Sequence, residues 1–354
     1  MEGQSDKTRA QQRHGTPLLD IRDLRTHIFT RRGVVKAVDG VSVQVWPGET
    51  LGLVGESGSG KTMTCLSILK LLPRGARIVS GQVLLQGRDL VPEPEDAMEH
   101  VRGKQIGMVL QNSLAALDPV FTIGTQVGEP LVVHDKLSWR AALRRVVELL
   151  RLVRVVAPEI RVRNYPHELS GGMRQRVASA AAIGCVPSLL IADEPTTALD
   201  VTTQRQYLDL LKELQQQTGM AILFVTHDIS LVGNMCDQIA VFYGGTVVEY
   251  GPREQVLNQP SHPYTMALLQ SIPQLGEYRE RLQSIAGDPP DLARLPTGCA
   301  FHPRCYAALE ICHGDEPPPV FTLADARRVR CWLREDEHVG SSAGSPRVDE
   351  TLSG

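Results

Sequence analysis

The eight residues Gly55-Glu56-Ser57-Gly58-Ser59-Gly60-Lys61-Thr62, placed directly after the apolar stretch Thr50-Leu51-Gly52-Leu53-Val54, constrain this chain more than any other segment. Glycines at this spacing let successive backbone N–H groups turn into one concavity that suits phosphate oxygens. Lys61 can reach the terminal phosphates of a nucleoside triphosphate, and the Thr62 hydroxyl is a ligand for Mg²⁺. A glycine-rich turn with an incidental lysine would share the spelling. Here, however, an apolar strand precedes the loop and a helical pattern, Met63 to Leu72, follows it. A buried strand feeding such a loop belongs to a parallel sheet, so the expected fold class is α/β.

The remaining pattern agrees. Short β-type segments at Leu18 to Leu24, Val41 to Val45, Gln82 to Leu85 and Ile106 to Leu110 surround the loop. From Trp139 to Val156, Leu143, Val146, Val147, Leu150 and Val153 recur at helical spacing, with Arg140, Arg144, Arg145, Arg151 and Arg154 largely elsewhere on the wheel. Those arginines read first as a solvated face. The runs Leu189 to Ala192 and Ala221 to Val225 then look like fully buried parallel strands, separated by the helix Val201 to Gln217.

A net charge of −3 gives no broad basic footprint, so nucleic acid is not expected as a partner. No apolar run approaches the ~18 residues of a membrane-spanning helix, and the polar start lacks the apolar core of a secretory signal. A cytosolic place is expected, with any membrane spanning left to other polypeptides.

Two strand ends carry chemistry. The run Leu189-Leu190-Ile191-Ala192 delivers Asp193 and Glu194 to the edge where an open parallel sheet presents its ligands. Asp193 suits Mg²⁺, and Glu194 is placed as the general base that polarises a water attacking the γ-phosphate. A paired Asp-Glu alone is weak evidence, but it gains weight from the buried strand before it. By the same logic Leu223-Phe224-Val225-Thr226 delivers His227, which can contact the γ-phosphate or the water. Leu169-Ser170-Gly171-Gly172 runs into a helix, Met173 to Ile183, and its amides form a second anion cradle. One nucleotide does not need two cradles from one subunit, so the second is expected to close over a triphosphate held by a neighbouring domain.

This combination resembles the nucleotide-binding subunits of ABC transporters: Walker A (Gly55, Glu56, Ser57, Gly58, Ser59, Gly60, Lys61, Thr62), Q-loop Gln111, signature Ser170, Gly171 and Gly172, Walker B through Asp193 and Glu194, D-loop Ala198-Leu199-Asp200 and switch His227. The resemblance implies a P-loop NTPase, RecA-like, with ATP and Mg²⁺ as cofactors. It implies a head-to-tail dimer with ATP sandwiched between Walker A of one domain and the signature of the other. Thr62, Gln111 and Asp193 would attend the metal, with Glu194, His227 and Gln111 catalytic and Asp200 lining the site. Met173 stands where glutamine is commoner, a change also usual in the peptide-importer branch. The adenine-stacking aromatic expected before Val38 is not evident, Phe29 and Arg32 being the nearest positions.

Further stretches resemble the D-type ATPase of oligopeptide and dipeptide importers, a branch shared with nickel importers: the Gly55 to Lys61 spelling, His262-Pro263-Tyr264-Thr265, and Gly298-Cys299-Ala300-Phe301-His302-Pro303-Arg304-Cys305. The expected divisions are a disordered start (1–16), an ATP-binding core (17–111 and 173–254), a helical insert (112–172), a small cysteine-rich C-terminal extension (255–337) and a disordered tail (338–354). Two membrane-spanning permease subunits, a second homologous ATPase and an extracytoplasmic binding protein are the implied partners, at the cytoplasmic face of the inner membrane. A soluble ABC ATPase of translation or DNA repair is the alternative, but such proteins usually fuse two nucleotide domains or carry long coiled coils.

Seven cysteines in a nucleotide-binding chain point away from disulfides. Cys65, Cys185 and Cys236 read as buried fillers, whereas Cys299, Cys305, Cys312 and Cys331 crowd together with five, six and eighteen residues between them. In the resembling branch these hold a 4Fe-4S cluster. Soft thiolates also suit zinc, with His302 and His313 as second-choice ligands, and free thiols remain a third reading.

Overall fold

The computed structural model describes residues 15–111, 116–197, 199–272 and 285–338; the polar ends 1–14 and 339–354, expected to be disordered, lie outside the described residues. Strands β1 (Leu19–Thr30) and β2 (Gly33–Val45) form a long antiparallel hairpin. After β3 (Thr50–Val54), β4 (Ala76–Leu85) and β5 (Arg88–Asp89) complete a four-stranded sheet in the order β2-β1-β4-β5. The hairpin runs past the apolar segments that announce it. Beyond Leu24 the outer half is held instead by register pairs such as Thr26 with Val38 and by the ion pair of Arg25 with Asp39, which leaves no apolar run to read.

The second sheet carries the site. β6 (Ile106–Val109), β7 (Leu189–Asp193), β8 (Ala221–Thr226) and β9 (Gln238–Tyr243) join β3 in the parallel order β9-β3-β8-β7-β6. Alternate side chains enter two different cores: Leu190, Ala192, Ile222 and Phe224 pack in one, Leu189, Ile191, Leu223 and Val225 in the other. Both faces are covered, so these strands read as continuous apolar runs rather than as alternation. The carboxyl ends of β3, β7 and β8 lie side by side, with Val54 in register with Thr226 and Asp193 with Val225. The loops that follow are therefore brought to one edge.

Between β6 and β7 most of the described chain is helical. Helices Ile123–His134 and Trp139–Leu152 begin at Thr122 and Ser138, whose hydroxyls accept from Thr125 N at 3.3 Å and Ala141 N at 3.4 Å. Val146, Leu150 and Val153 are buried as the helical spacing predicts, whereas Leu143 stays 42% exposed at the rim. These helices pack on Gly171–Ile183, the helix opened by the Ser170 turn.

Beyond β9, β10 (Thr246–Pro252) turns back antiparallel, and the hairpin of β11 (Phe321–Thr322) and β12 (Arg328–Val329) adds to its edge. The C-terminal segment thus extends the nucleotide sheet. Glu249 on β10 is fully buried and accepts from the N–H groups of Ser261 and His262 at 2.8 and 3.0 Å, fixing the start of helix Pro263–Gln270. Pro263 opens that helix, and His262 Nδ1 accepts from Tyr264 N at 3.0 Å.

Burial pushes the His262 imidazole down to about 3, so it stays neutral in the folded chain. An unfolded histidine protonates near pH 6.5. A depressed folded value means that this stabilisation is complete above the unfolded pKa and is lost as pH falls from about 6.5 toward 3. Between pH 7.5 and 5.0 the chain should lose ~2 kcal/mol of unfolding free energy to this group. Urea titrations of the parent and His262→Asn at both pH values check this, since the substituted chain should lose less on acidification; equal losses would count against it.

Candidate functional site

The phosphate loop leaves β3 at Gly55 and enters the helix Lys61–Ile68 through Gly60, whose φ of +106° is left-handed. A Cβ at Gly60 would lie 2.4 Å from the Ala37 carbonyl oxygen, so glycine is required there by both backbone and space. Lys61 is 4% exposed, and its Nζ donates to the carbonyls of Gly55 and Glu56 at 2.7 and 2.9 Å. Burial lowers the Lys61 pKa, with Glu194 and Asp193 opposing the shift. The ammonium is therefore fixed at the loop mouth, supported by acids across the sheet edge.

Those acids sit where the strands end. Thr62 Oγ1 donates to Asp193 Oδ1 at 3.2 Å, and burial raises the Asp193 carboxyl, against the pull of the Thr62 bond. A hydroxyl and a carboxylate side by side form an all-oxygen donor pair, which fits Mg²⁺ completed by substrate phosphates and water. Glu194, 8% exposed, is the meeting point of three elements. Its Oε2 accepts from Gln111 Nε2 at 2.7 Å and Thr197 Oγ1 at 3.1 Å and lies 3.1 Å from His227 Nδ1. Its backbone has φ +44°, an uncommon conformation for a side chain of this size, held by the bond from Glu194 N to Val225 O.

The structure thus brings Gln111, Asp193, Glu194 and His227 together with Lys61 and Thr62. Thr197 is a member that sequence reasoning missed; the only signal was its position three residues after Glu194 on the same turn.

Ser170 is elsewhere. Its exposed side chain caps the helix Gly171–Ile183, accepting from Met173 N at 3.3 Å, and a Cβ at Gly172 would meet Thr203 Cγ2 at 3.0 Å. Asp200 likewise caps a helix, Val201–Thr218, taking Thr203 N at 2.9 Å and Thr203 Oγ1 at 2.7 Å; its neighbour Ala198 lies outside the described residues. Of the adenine candidates, Phe29 is 38% exposed with the Arg77 guanidinium 4.1 Å from its ring centroid, and Arg32 is exposed.

The four late cysteines are free thiols. Among the described residues no group of three or more His, Cys, Asp or Glu side chains is arranged to hold a metal ion, so the 4Fe-4S cluster gains no support. Cys331 is buried with Leu323 and Val329 in a small cluster of its own, whereas Cys299 and Cys305 pack against the main core. Burial raises the thiol pKa to about 11 at both Cys299 and Cys331, and Cys305 and Cys312 add to the rise at each, so the four thiols lie within electrostatic reach of one another. Cys299 and Cys312 are adjacent through their backbones, with Cys299 N donating to Cys312 O at 3.0 Å. Cys65, Cys185 and Cys236 are buried, as expected of fillers.

A strand-fed phosphate loop facing an Asp-Glu strand end and a strand-end histidine defines a P-loop ATPase of the ABC type. Residues 38–197 match the ABC transporter family, and residues 248–312 match the oligopeptide/dipeptide transporter C-terminal region. A putative peptide import ATP-binding protein of Brucella ovis is 51% identical over 314 residues, covering 85% of this chain and 93% of that protein. The oligopeptide transport ATP-binding protein OppD of Bacillus subtilis is 47% identical, covering 90% and 89%, and the dipeptide transport ATP-binding protein DppD of the same organism 43%, covering 90% and 95%. A solved dimeric structure of the ATP-binding cassette MJ0796, in a post-hydrolysis state with ADP and Pi, superposes with a TM-score of 0.60 at 27% identity, covering 66% of this chain and 98% of that one. The chain belongs to the ATP-binding proteins of ABC transporters, in the branch that carries the oligopeptide/dipeptide transporter C-terminal region.

Proposed function

We propose that this ATPase energises peptide import, acting with membrane-spanning permease subunits and a substrate-binding protein outside the membrane. The observation that carries this reading is the union, in one chain, of the strand-end ATP site with a peptide-transporter C-terminal region. Among the described residues no helix is long and apolar enough to cross a membrane. Val120, Phe121, Val133, Trp139 and Ile160 are exposed on or beside the helices of the insert, which supports docking of this subdomain on partner subunits at the cytoplasmic face.

In the proposed mechanism Gly55 to Gly60 cradle the phosphates, Lys61 meets their terminal oxygens, and Thr62 and Asp193 hold Mg²⁺ with Gln111 alongside. The Mg²⁺ that Thr62 and Asp193 would hold would supply positive charge against the charge developing on the transferred phosphoryl group. Glu194 polarises the attacking water, and His227 and Thr197 orient the carboxylate. Ser170, Gly171 and Gly172 act on the triphosphate of a second ATPase subunit, with Asp200 at that junction. The dimeric MJ0796 cassette supports this arrangement by its fold likeness. The divisions that follow are a core of 17–111 and 173–254, an insert of 112–172 and a C-terminal region of 255–337.

Reconstitution tests the reading. The chain, co-expressed with candidate permease and binding-protein subunits and placed in liposomes, should take up tri- to pentapeptides only with ATP inside. Stimulation by nickel and not by peptides, or co-purification with ribosomes and not with membranes, would overturn it.

A further inference from the structure

A loop built to receive phosphate oxygens here contains an acid. Glu56 is the second residue of the cradle, and its carboxylate would oppose an incoming triphosphate by simple charge repulsion. The same carboxylate contributes to the electrostatic support of Lys61, so its charge is felt inside the cradle. The conflict is resolved from the far end of the chain. Arg304 donates from Nη1 to Glu56 Oε2 at 2.6 Å and from Nη2 to Glu56 Oε1 at 2.9 Å, a two-pronged fork across 248 positions.

The fork is held firmly. The Arg304 side chain is 5% exposed and that of Glu56 24%. Arg304 Nε donates to the Ala286 carbonyl at 2.9 Å, and the guanidinium carbon lies 5.9 Å from the Tyr243 ring centroid. The Glu56 main chain is gripped as well, its N–H donating to Tyr264 Oη at 3.0 Å. Tyr264 in turn packs on Tyr243 and Phe301, with ring centroids 4.6 and 5.3 Å away. Residue 56 is thus fixed, backbone and side chain, by groups that follow it by 208 and 248 positions.

We propose that the C-terminal segment completes the nucleotide site of its own chain: Arg304 is the counter-cation that allows Glu56 to stand beside a bound triphosphate, and Tyr264 and Arg304 together hold the loop in its receptive shape. Arg304 acts through Glu56 and is a positioning residue. A mere staple between segments would stabilise the chain without distinguishing an anion from any other ligand. The counter-cation has a different signature, because removing Arg304 uncovers a negative charge that removing the Glu56 charge then abolishes.

The test is a set of Mg·ATP dissociation constants on the full-length chain, measured by displacement of a fluorescent ATP analogue at fixed salt. Arg304→Gln should weaken binding about tenfold, equivalent to ~1.4 kcal/mol. Arg304→Lys, which keeps the charge and loses the fork, should fall between Arg304→Gln and the parent. Adding Glu56→Gln to Arg304→Gln should recover affinity to within about threefold of the parent. Binding within twofold of the parent in Arg304→Gln, or a double substitution as weak as Arg304→Gln alone, would overturn the proposal. Where Arg304→Gln does not fold, Arg304→Lys with and without Glu56→Gln supplies the same comparison. The proposal rests on the ATPase reading, and the two fail differently: a parent that binds no Mg·ATP defeats that reading, whereas a binding parent with an indifferent Arg304 defeats this inference alone.

Discussion

Glu194→Gln is expected to keep Mg·ATP affinity within about threefold of the parent while cutting ATP turnover by the assembled transporter ~100-fold or more. The geometry separates the two effects. Glu194 Oε2 is approached by Gln111 Nε2 at 2.7 Å, Thr197 Oγ1 at 3.1 Å and His227 Nδ1 at 3.1 Å. A glutamine amide has the same shape and can turn its oxygen toward those groups, so the turn at φ +44° has no reason to collapse. What the amide lacks is the negative charge that draws a proton from the attacking water. Phosphoryl transfer relies strongly on positioning and charge, which is why some turnover should survive. Phosphate release by the parent and Glu194→Gln transporters, with ATP binding measured in parallel, decides it; rates within threefold of each other would remove Glu194 from the role.

The sheet was legible because of its burial. Leu189 to Ala192 and Ala221 to Val225 are apolar without interruption, since their alternate side chains fill two separate cores, and a run this short and this apolar fits a strand covered on both faces. The outer half of the β1-β2 hairpin was not legible. It is partly wet on both sides, and pairs such as Arg25 with Asp39 leave no periodic apolar signal.

The site divides along the same line. Residues that lie within one short stretch, such as Lys61 with Thr62 or Asp193 with Glu194, reveal themselves by spacing, whereas partners assembled by topology do not. Nothing near Glu56 in sequence points to Arg304 or to the Tyr264 hydroxyl, because both partners belong to the C-terminal segment beyond β10, Tyr264 on helix Pro263–Gln270 and Arg304 on the turn His302–Arg304, and reach residue 56 only in the folded chain. An acid inside an anion cradle was the available clue, since it demands a cation from somewhere. Cys299, Cys305, Cys312 and Cys331, near in sequence, are also near enough in space to raise one another's thiol pKa, with Cys331 packed on Leu323 and Val329 and Cys299 and Cys305 against the main core.

Lys61→Ala should weaken Mg·ATP binding by ~10- to 100-fold and lower turnover as well, in contrast to the selective loss at Glu194. The ammonium donates to the Gly55 and Glu56 carbonyls at 2.7 and 2.9 Å, and burial has removed most of its water. On the proposed reading ATP takes over these bonds with charged phosphate oxygens, and a hydrogen bond between charged groups is worth ~1.5–3 kcal/mol. Alanine forfeits that in the ground state and, because negative charge shifts among the phosphate oxygens during transfer, again in the transition state. The loss must then appear in both affinity and rate. Equilibrium binding and saturating-ATP turnover on the same preparation separate the alternatives, with thermal unfolding as a check that the loop substitution leaves the chain folded. A folded Lys61→Ala chain that binds Mg·ATP as tightly as the parent would mean that the lysine serves the two carbonyls and not the nucleotide.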